Sequence, residues 1–429
     1  MTDLRARYES YREARVRVRL AWLSGESAEL DYEKADEEHL DVTSGDALPA
    51  LRAEAAEASF ADLRERHARL IAAVQASVVA RGTRELASRA RVRPDAVVLR
   101  EELVARESEA WAALGFATAR AFAESLRPGV DYGAWSAHAD AFLGASRAAH
   151  RDARAALRPL AWHEVLPASR LRPALDFALA GLHVPLARAA SLRVDDAAGP
   201  NRREPAFAVA PLVPREVWLA YAPDAGIPAL EALFAAAGVA LHAAFTSEAL
   251  PLERRALGDP AAARVWRHFL PALLAEPSFA EAGPAAGRVG EFGAVLRARR
   301  LEAARRAAAL AGCELALAEL APGADPHGLE SLYAERVETA LDQPPDESRF
   351  LLDCSARLHA VDELRATAVA AELVHHLRER FGRRFWESRA AGELLLELWN
   401  TGTTYSPETL ARELGLAQPG AESLARALV

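Results

Sequence analysis

The chain has 429 residues, 51% of them hydrophobic and 26% charged, with 52 basic against 61 acidic side chains and a formal net charge of -9. That length supports about three domain-sized units or one large two-lobed domain, and the apolar content excludes disorder as the overall class. The acidic balance lacks the basic excess or stripe of a nucleic-acid binder. Leu4 to Trp22 carries apolar residues at helical intervals, and the acidic, less periodic stretch from Glu26 to Asp46 reads as a mobile loop. Amphipathic helices are predicted over Leu48–Arg81, Val98–Leu126, Tyr132–Leu160 and Ser169–Leu182. They are separated by breakers such as Arg127-Pro128-Gly129 and Leu166-Pro167.

The texture changes at Gly199-Pro200-Asn201. Ala206–Ala210 and Val217–Tyr221 are short, with β-branched or aromatic residues, and Pro211 and Pro214 lie between them. This predicts two strands, at least one near a sheet edge. Ile227–Phe245 is apolar nearly all the way round, with Glu231 and His242 its only strongly polar members, so it is expected to be a buried central helix. Helices then follow over Pro260–Ala275, Val289–Ala311, Leu329–Leu341, Ala356–Phe381 and Ala390–Trp399. In the last, Ser406–Leu414, Ser406 serves as N-cap, Pro407 opens the first turn and Gly415 follows the end. Fold class is therefore mostly α, divided into an N-terminal helical lobe over 1–197 and a second lobe over 198–429.

Direct signals for chemistry are few. One lysine, Lys34, stands against abundant Arg and Ala, so enrichment in either belongs to the whole chain. The clusters Arg151 to Arg158 and Arg297 to Arg306 alternate with Ala and Glu at helical spacing and read as solvated faces. Cys313 and Cys354 form no C-x-x-C pair, Met1 to Arg19 has no apolar signal-peptide core, and no apolar run of about 18 residues is uninterrupted. A reduced cytoplasmic setting without a membrane span is expected. There is no G-x-S-x-G elbow, phosphate loop or dinucleotide fingerprint. No two histidines stand four apart for zinc. His375 and His376 are adjacent and diverge on a helix, and after His163-Glu164 position 167 is Pro.

Two blocks carry a family resemblance. Pro205 to Leu219, Leu230 to His242 and Leu250 to Arg264 resemble the active-site region of gluzincin metallopeptidases of the thimet oligopeptidase and oligoendopeptidase F family. Phe381 to Trp399, with Tyr405-Ser-Pro-Glu and Leu414-Gly, is similar to the C-terminal helices of bacterial members. The resemblance implies a two-lobed, mostly α zincin-like fold, with a small sheet beside the active-site helix and a long cleft between lobes. In active members that helix carries H-E-x-G-H, two His holding zinc and the Glu activating its water. Here those positions fall on Ala235, Ala236 and Val239, with Gly238 retained between them and His242 flanking. The third ligand, a Glu on the next helix after an Asp-Asn start, falls on or beside Arg264 after Asp259-Pro260. The tyrosines that hold the tetrahedral intermediate fall near His359 and Glu363.

Zinc chemistry needs all these parts, because the metal acidifies its water and the helical Glu takes the proton. Ala and Val cannot ligate a metal and Arg repels one. The resemblance thus implies a pseudopeptidase with no catalytic residue, no metal and no cofactor. Its partner would be an active peptidase paralogue or a peptide in the cleft, with neither nucleic acid nor membrane involved. Alanine-rich walls favour an apolar guest, with Gly238, His242, His359 and Glu363 as candidate cleft-lining residues. Two other readings stand beside it: a hydrolase with relocated chemistry at His359, Glu363 and His242, and a helical scaffold unrelated to peptidases.

Overall fold

A computed structural model describes residues 2–93, 96–156, 162–197, 202–285 and 287–428. Helices dominate, and a single three-stranded sheet lies at the middle of the chain: β1 (Leu192–Asp195), β2 (Ala206–Leu212) and β3 (Glu216–Tyr221). The strand order is β1-β3-β2, with β1 parallel and β2 antiparallel to β3. The two expected strands are thus present and β2 lies at an edge. The additional strand β1 falls before residue 197 and pairs with β3 beyond it. The segment Gly199-Pro200-Asn201, where the texture changes, lies outside the described residues.

The period-two alternation of the sheet decides what packs on each face. Val217, Leu219 and Tyr221 face the central helix, Ile227–Phe245, within the largest core. Phe207, Val209 and Ala220 face the other way, onto Trp22 and Leu23 of the N-terminal helix Thr2–Ser24. The sheet is therefore clamped between the first helix of the chain and its most apolar one. Among the described residues, Ile227–Phe245 is the one helix long and apolar enough to cross a bilayer, and 61% of its most apolar window is buried inside the protein.

Three expectations change. Glu26 to Asp46 is not a free loop: it forms helices Glu33–Glu38 and Leu40–Thr43. The cause is a buried polar anchor, Asp36, which accepts from Tyr11 Oη at 3.2 Å and Arg15 Nη1 at 3.0 Å. The long predicted helices are divided. Leu48–Arg81 becomes Leu48–Glu57 and Ala61–Gly82, and Val98–Leu126 becomes Val97–Ala113 and Ala119–Leu126. At the second break Gly115 takes φ +89° and Thr118 caps the new helix through Ala121 N, a left-handed stop followed by a side-chain start.

The third change concerns Arg297 to Arg306, which is not a wholly solvated face. Arg305, in the helix Val289–Ala318, has no solvent exposure. Its guanidinium donates to Ala340 O (2.7 Å), Leu143 O (2.7 Å), Thr339 O (3.0 Å) and Ser146 Oγ (2.6 Å). Those carbonyls end two helices, Glu330–Leu341 and Tyr132–Ala145, so the charge is balanced by helix C-terminal dipoles instead of a carboxylate. Ser146 also ends the helix predicted to run on to Leu160, and 157–161 lie outside the described residues.

Candidate functional site

The central helix is buried on all sides but one. Glu231, Ala232, Ala235, Val239 and Ala243 form a half-buried stripe, while Ala236, Gly238 and His242 are buried. The spacing of three and four places Ala235 and Val239 one turn apart on that stripe. Val239, His242 and Ala243 line a cavity of about 290 Å³ whose other walls come from β2, the segment Gly258–Pro260, Ala263 and the N-terminal helix.

The next helix, Ala262–Ala272, crosses the central one at very close range. A Cβ on Gly238 would sit 2.1 Å from Trp266 O, so only glycine allows this approach. His242 stacks on Trp266 at a centroid separation of 5.9 Å, and its Nε2–H donates to Gly402 O at 3.0 Å. Burial pushes its pKa down to about 4 against the pull of that hydrogen bond, so the ring is neutral at neutral pH. His242 is a satisfied core histidine at the back of the cavity wall.

Arg264, Arg267 and His268 form the accessible stripe of Ala262–Ala272, and all three turn to Glu363 on the helix His359–Phe381. Arg264 Nη1 donates to Oε1 of Glu363, Arg267 lies 3.9 Å from the same oxygen, and His268 Nε2 meets Oε2 at 2.6 Å. Burial alone would raise the Glu363 carboxyl, but His268, Arg264 and Arg267 hold it down at about 2. It is therefore a saturated anion, and a poor base near neutral pH. His359 starts the same helix one turn earlier, after Leu358 at φ +60°. It lines a second cavity, of about 390 Å³. The walls of that cleft, then Arg264, Arg357 and Arg127, push its pKa down to about 4.

Beneath the cluster lies a buried charge network. Arg365 reaches Asp259 (2.5 and 3.1 Å), Glu408 (2.7 and 2.8 Å) and Asp362 (3.1 Å), while Arg127 grips Asp362 at 2.7 and 2.8 Å. Asp259 also accepts from Ala261 N, fixing the turn that enters Ala262–Ala272. The start of that helix is thereby locked to His359–Phe381, and Arg264 and Glu363 are presented to each other.

The residues at this place do not fit zinc. Ala235, Ala236 and Val239 offer no lone pair, and Arg264 brings a positive charge already engaged with Glu363. Among the described residues, no three His, Cys, Asp or Glu side chains converge as a metal-holding group. Nor does the geometry assemble His359, Glu363 and His242, since Glu363 is hydrogen-bonded to His268 instead and His242 to a backbone carbonyl. His268 has no histidine four positions away, and its one mark in the sequence is the Arg264, Arg267, His268 stripe at helical spacing.

The neutral His242 has a measurable consequence. Its folded pKa, about 4, lies below the unfolded value of about 6.5. It therefore contributes stability that is complete above pH 6.5 and is lost as pH falls through about 4. The loss is on the order of 3 kcal/mol. Denaturant unfolding of wild type and His242→Phe from pH 7.5 to 4 should show a gap that shrinks by this amount. A gap independent of pH would mean that water reaches the ring.

No family model matches the chain, and no curated protein matches it in sequence. Solved structures do match in fold. A metallocarboxypeptidase 1 of Trypanosoma cruzi aligns with a TM-score of 0.64 at 12% identity, over 100% of this chain and 98% of that one. The M32 carboxypeptidase of Deinococcus radiodurans gives 0.60 at 13%, over 99% and 97%. A Bacillus anthracis protein described as an oligoendopeptidase F gives 0.58 at 12%, over 86% of this chain, which spans 65% of that protein's length. The chain has the mostly α, zincin-like fold of these peptidases.

Proposed function

We propose that this chain is a peptide-binding protein built on an oligopeptidase fold, acting without zinc and without peptide-bond cleavage. The observation that carries the reading is the Arg264–Glu363–His268 cluster. At the position where the resemblance places a metal ligand stands a cation, and where it places an intermediate-stabilising tyrosine stands that cation's carboxylate partner. The ion pair satisfies both charges and replaces the role of a metal in neutralising a buried carboxylate. The cleft walls remain, and a cytoplasmic peptide, either free or as a segment of an active peptidase paralogue, is the occupant that this fold suits.

The test combines metal content with turnover. Protein purified with zinc present and then desalted should hold well under one equivalent, and generic fluorogenic peptides should remain uncleaved above background. Stoichiometric zinc held in the cleft, with chelator-sensitive cleavage, would overturn the reading. Metal-independent cleavage abolished by His268→Ala would favour the hydrolase with relocated chemistry.

A further inference from the structure

The two cavities beside the site share one roof. Arg12, Val16 and Arg19 of the N-terminal helix line the first, and Trp22, one turn further along the same helix, lines the second. Arg91 and Arg100 also line the second cavity. The two cavities therefore follow one another along one helix, the first ending at Arg19 and the second beginning at Trp22, and form a groove in two parts.

Arginine is abundant in this chain, so its presence in a groove proves little. What matters is how each one is neutralised. Most structural arginines here are tied to carboxylates, as Arg264 is to Glu363 and Arg365 is to Asp259. Arg12, Arg19, Arg91 and Arg100 are different: among the described residues none has an ion pair with a carboxylate. Arg12 makes only two long hydrogen bonds, to Ala210 O at 3.4 Å and Pro211 O at 3.5 Å. Arg100 reaches Ala90 O at 3.5 Å and leaves a buried Nε without a partner.

The nearby carboxylates are already engaged. Glu9, which acts on Arg12, is held by Arg255; Asp259 is held by Arg365 and Glu107 by Arg357. Glu204 alone faces Arg91 without such a partner, while Arg19 and Arg100 repel it. The groove is thus a local concentration of unpaired cations in a chain whose net charge is -9. Between the cations the mixed walls carry apolar side chains, Val16, Ala208, Val239 and Ala243 in the first cavity and Leu103 and Val104 in the second.

We propose that the groove binds an acidic peptide segment in which Asp or Glu alternates with small apolar residues. Its carboxylates pair with Arg12 and Arg19 at one end and with Arg91 and Arg100 at the other. Cations gathered without counter-charge repel one another, and carboxylates in the groove offset that repulsion while the apolar side chains of the walls take up the intervening residues. The proposal rests on the peptide-binding reading and adds to it the sign of the guest's charge.

The test is fluorescence anisotropy with three labelled decapeptides sharing the same Ala and Val positions, the others being Glu, Gln or Lys. The Glu peptide should bind at least tenfold tighter than the Gln peptide, and the Lys peptide should not bind. Arg19→Gln with Arg91→Gln, at two exposed positions that no fold contact requires, should weaken the Glu peptide about tenfold and leave the Gln peptide unchanged. Lysine at both positions should restore binding. Equal affinity for Glu and Gln peptides would overturn the acidic preference and leave peptide binding standing. Failure of all three to bind would overturn both. Unchanged affinity in the Gln double variant would place the site elsewhere. A single-stranded oligonucleotide binding tighter than the Glu peptide would make the guest a nucleic acid and overturn the proposal.

Discussion

Gly238→Ala is expected to cost on the order of 4 kcal/mol, more than the usual overpacking substitution. The added Cβ would meet Trp266 O at 2.1 Å and Leu270 Cβ at 3.3 Å. The first of these is backbone inside the helix Ala262–Ala272, so no side chain can rotate away. Relief requires the two helices to separate, and that opens the stack of Trp266 on His242 and its edge contact with Trp399. Gly290→Ala is the control: a Cβ there meets nothing within 4 Å, and alanine in a helix should be neutral or slightly stabilising. Denaturant midpoints of the two variants measure the contrast. A Gly238 variant as stable as the Gly290 variant would mean the crossing is looser than described.

This glycine shows how the fold and the site differ in legibility. Within H-E-x-G-H the glycine could be taken as part of a catalytic signature, yet its reason here is packing, which no metal ligand is needed to explain. The central helix was readable residue for residue because a segment apolar on every face has one place to go. Strand β1, with four residues and a half-buried pattern, carried no such signal. The site was half readable. Arg264 and Glu363 could be named through the resemblance, but they are 99 positions apart, and no periodicity says that they touch. Arg305 was misread for a related reason: an arginine in a helix reads as surface unless one knows that two helix ends converge on it from elsewhere in the chain.

The variant Ala235→His, Ala236→Glu, Val239→His and Arg264→Glu should lose on the order of 5 kcal/mol of stability without zinc and recover much of it with zinc. Two causes add. Ala236 is 7% exposed, so a glutamate there is buried without a partner, at about 1–3 kcal/mol. Arg264→Glu removes one of the counter-charges of Glu363, leaving His268 and Arg267, and sets a second carboxylate beside it in a partly exposed site, at about 1–3 kcal/mol. A further change, Glu363→Gln, should relieve the like-charge part and raise the melting temperature of the chelated protein. Histidines at 235 and 239 would project one turn apart from the half-buried stripe, the geometry in which two imidazoles share one metal. Zinc at a thousandfold over its Kd would return about 4 kcal/mol, since only the folded state offers the site. The measurement is a thermal melt with zinc and with chelator. Equal melting temperatures in a folded variant would show that the four positions do not converge, and the assignment of this place as a former metal site would fall. Should the fourfold variant not fold, Ala235→His with Val239→His alone decides the matter. Both positions are partly open, so that pair should fold and still show a zinc-dependent rise in melting temperature.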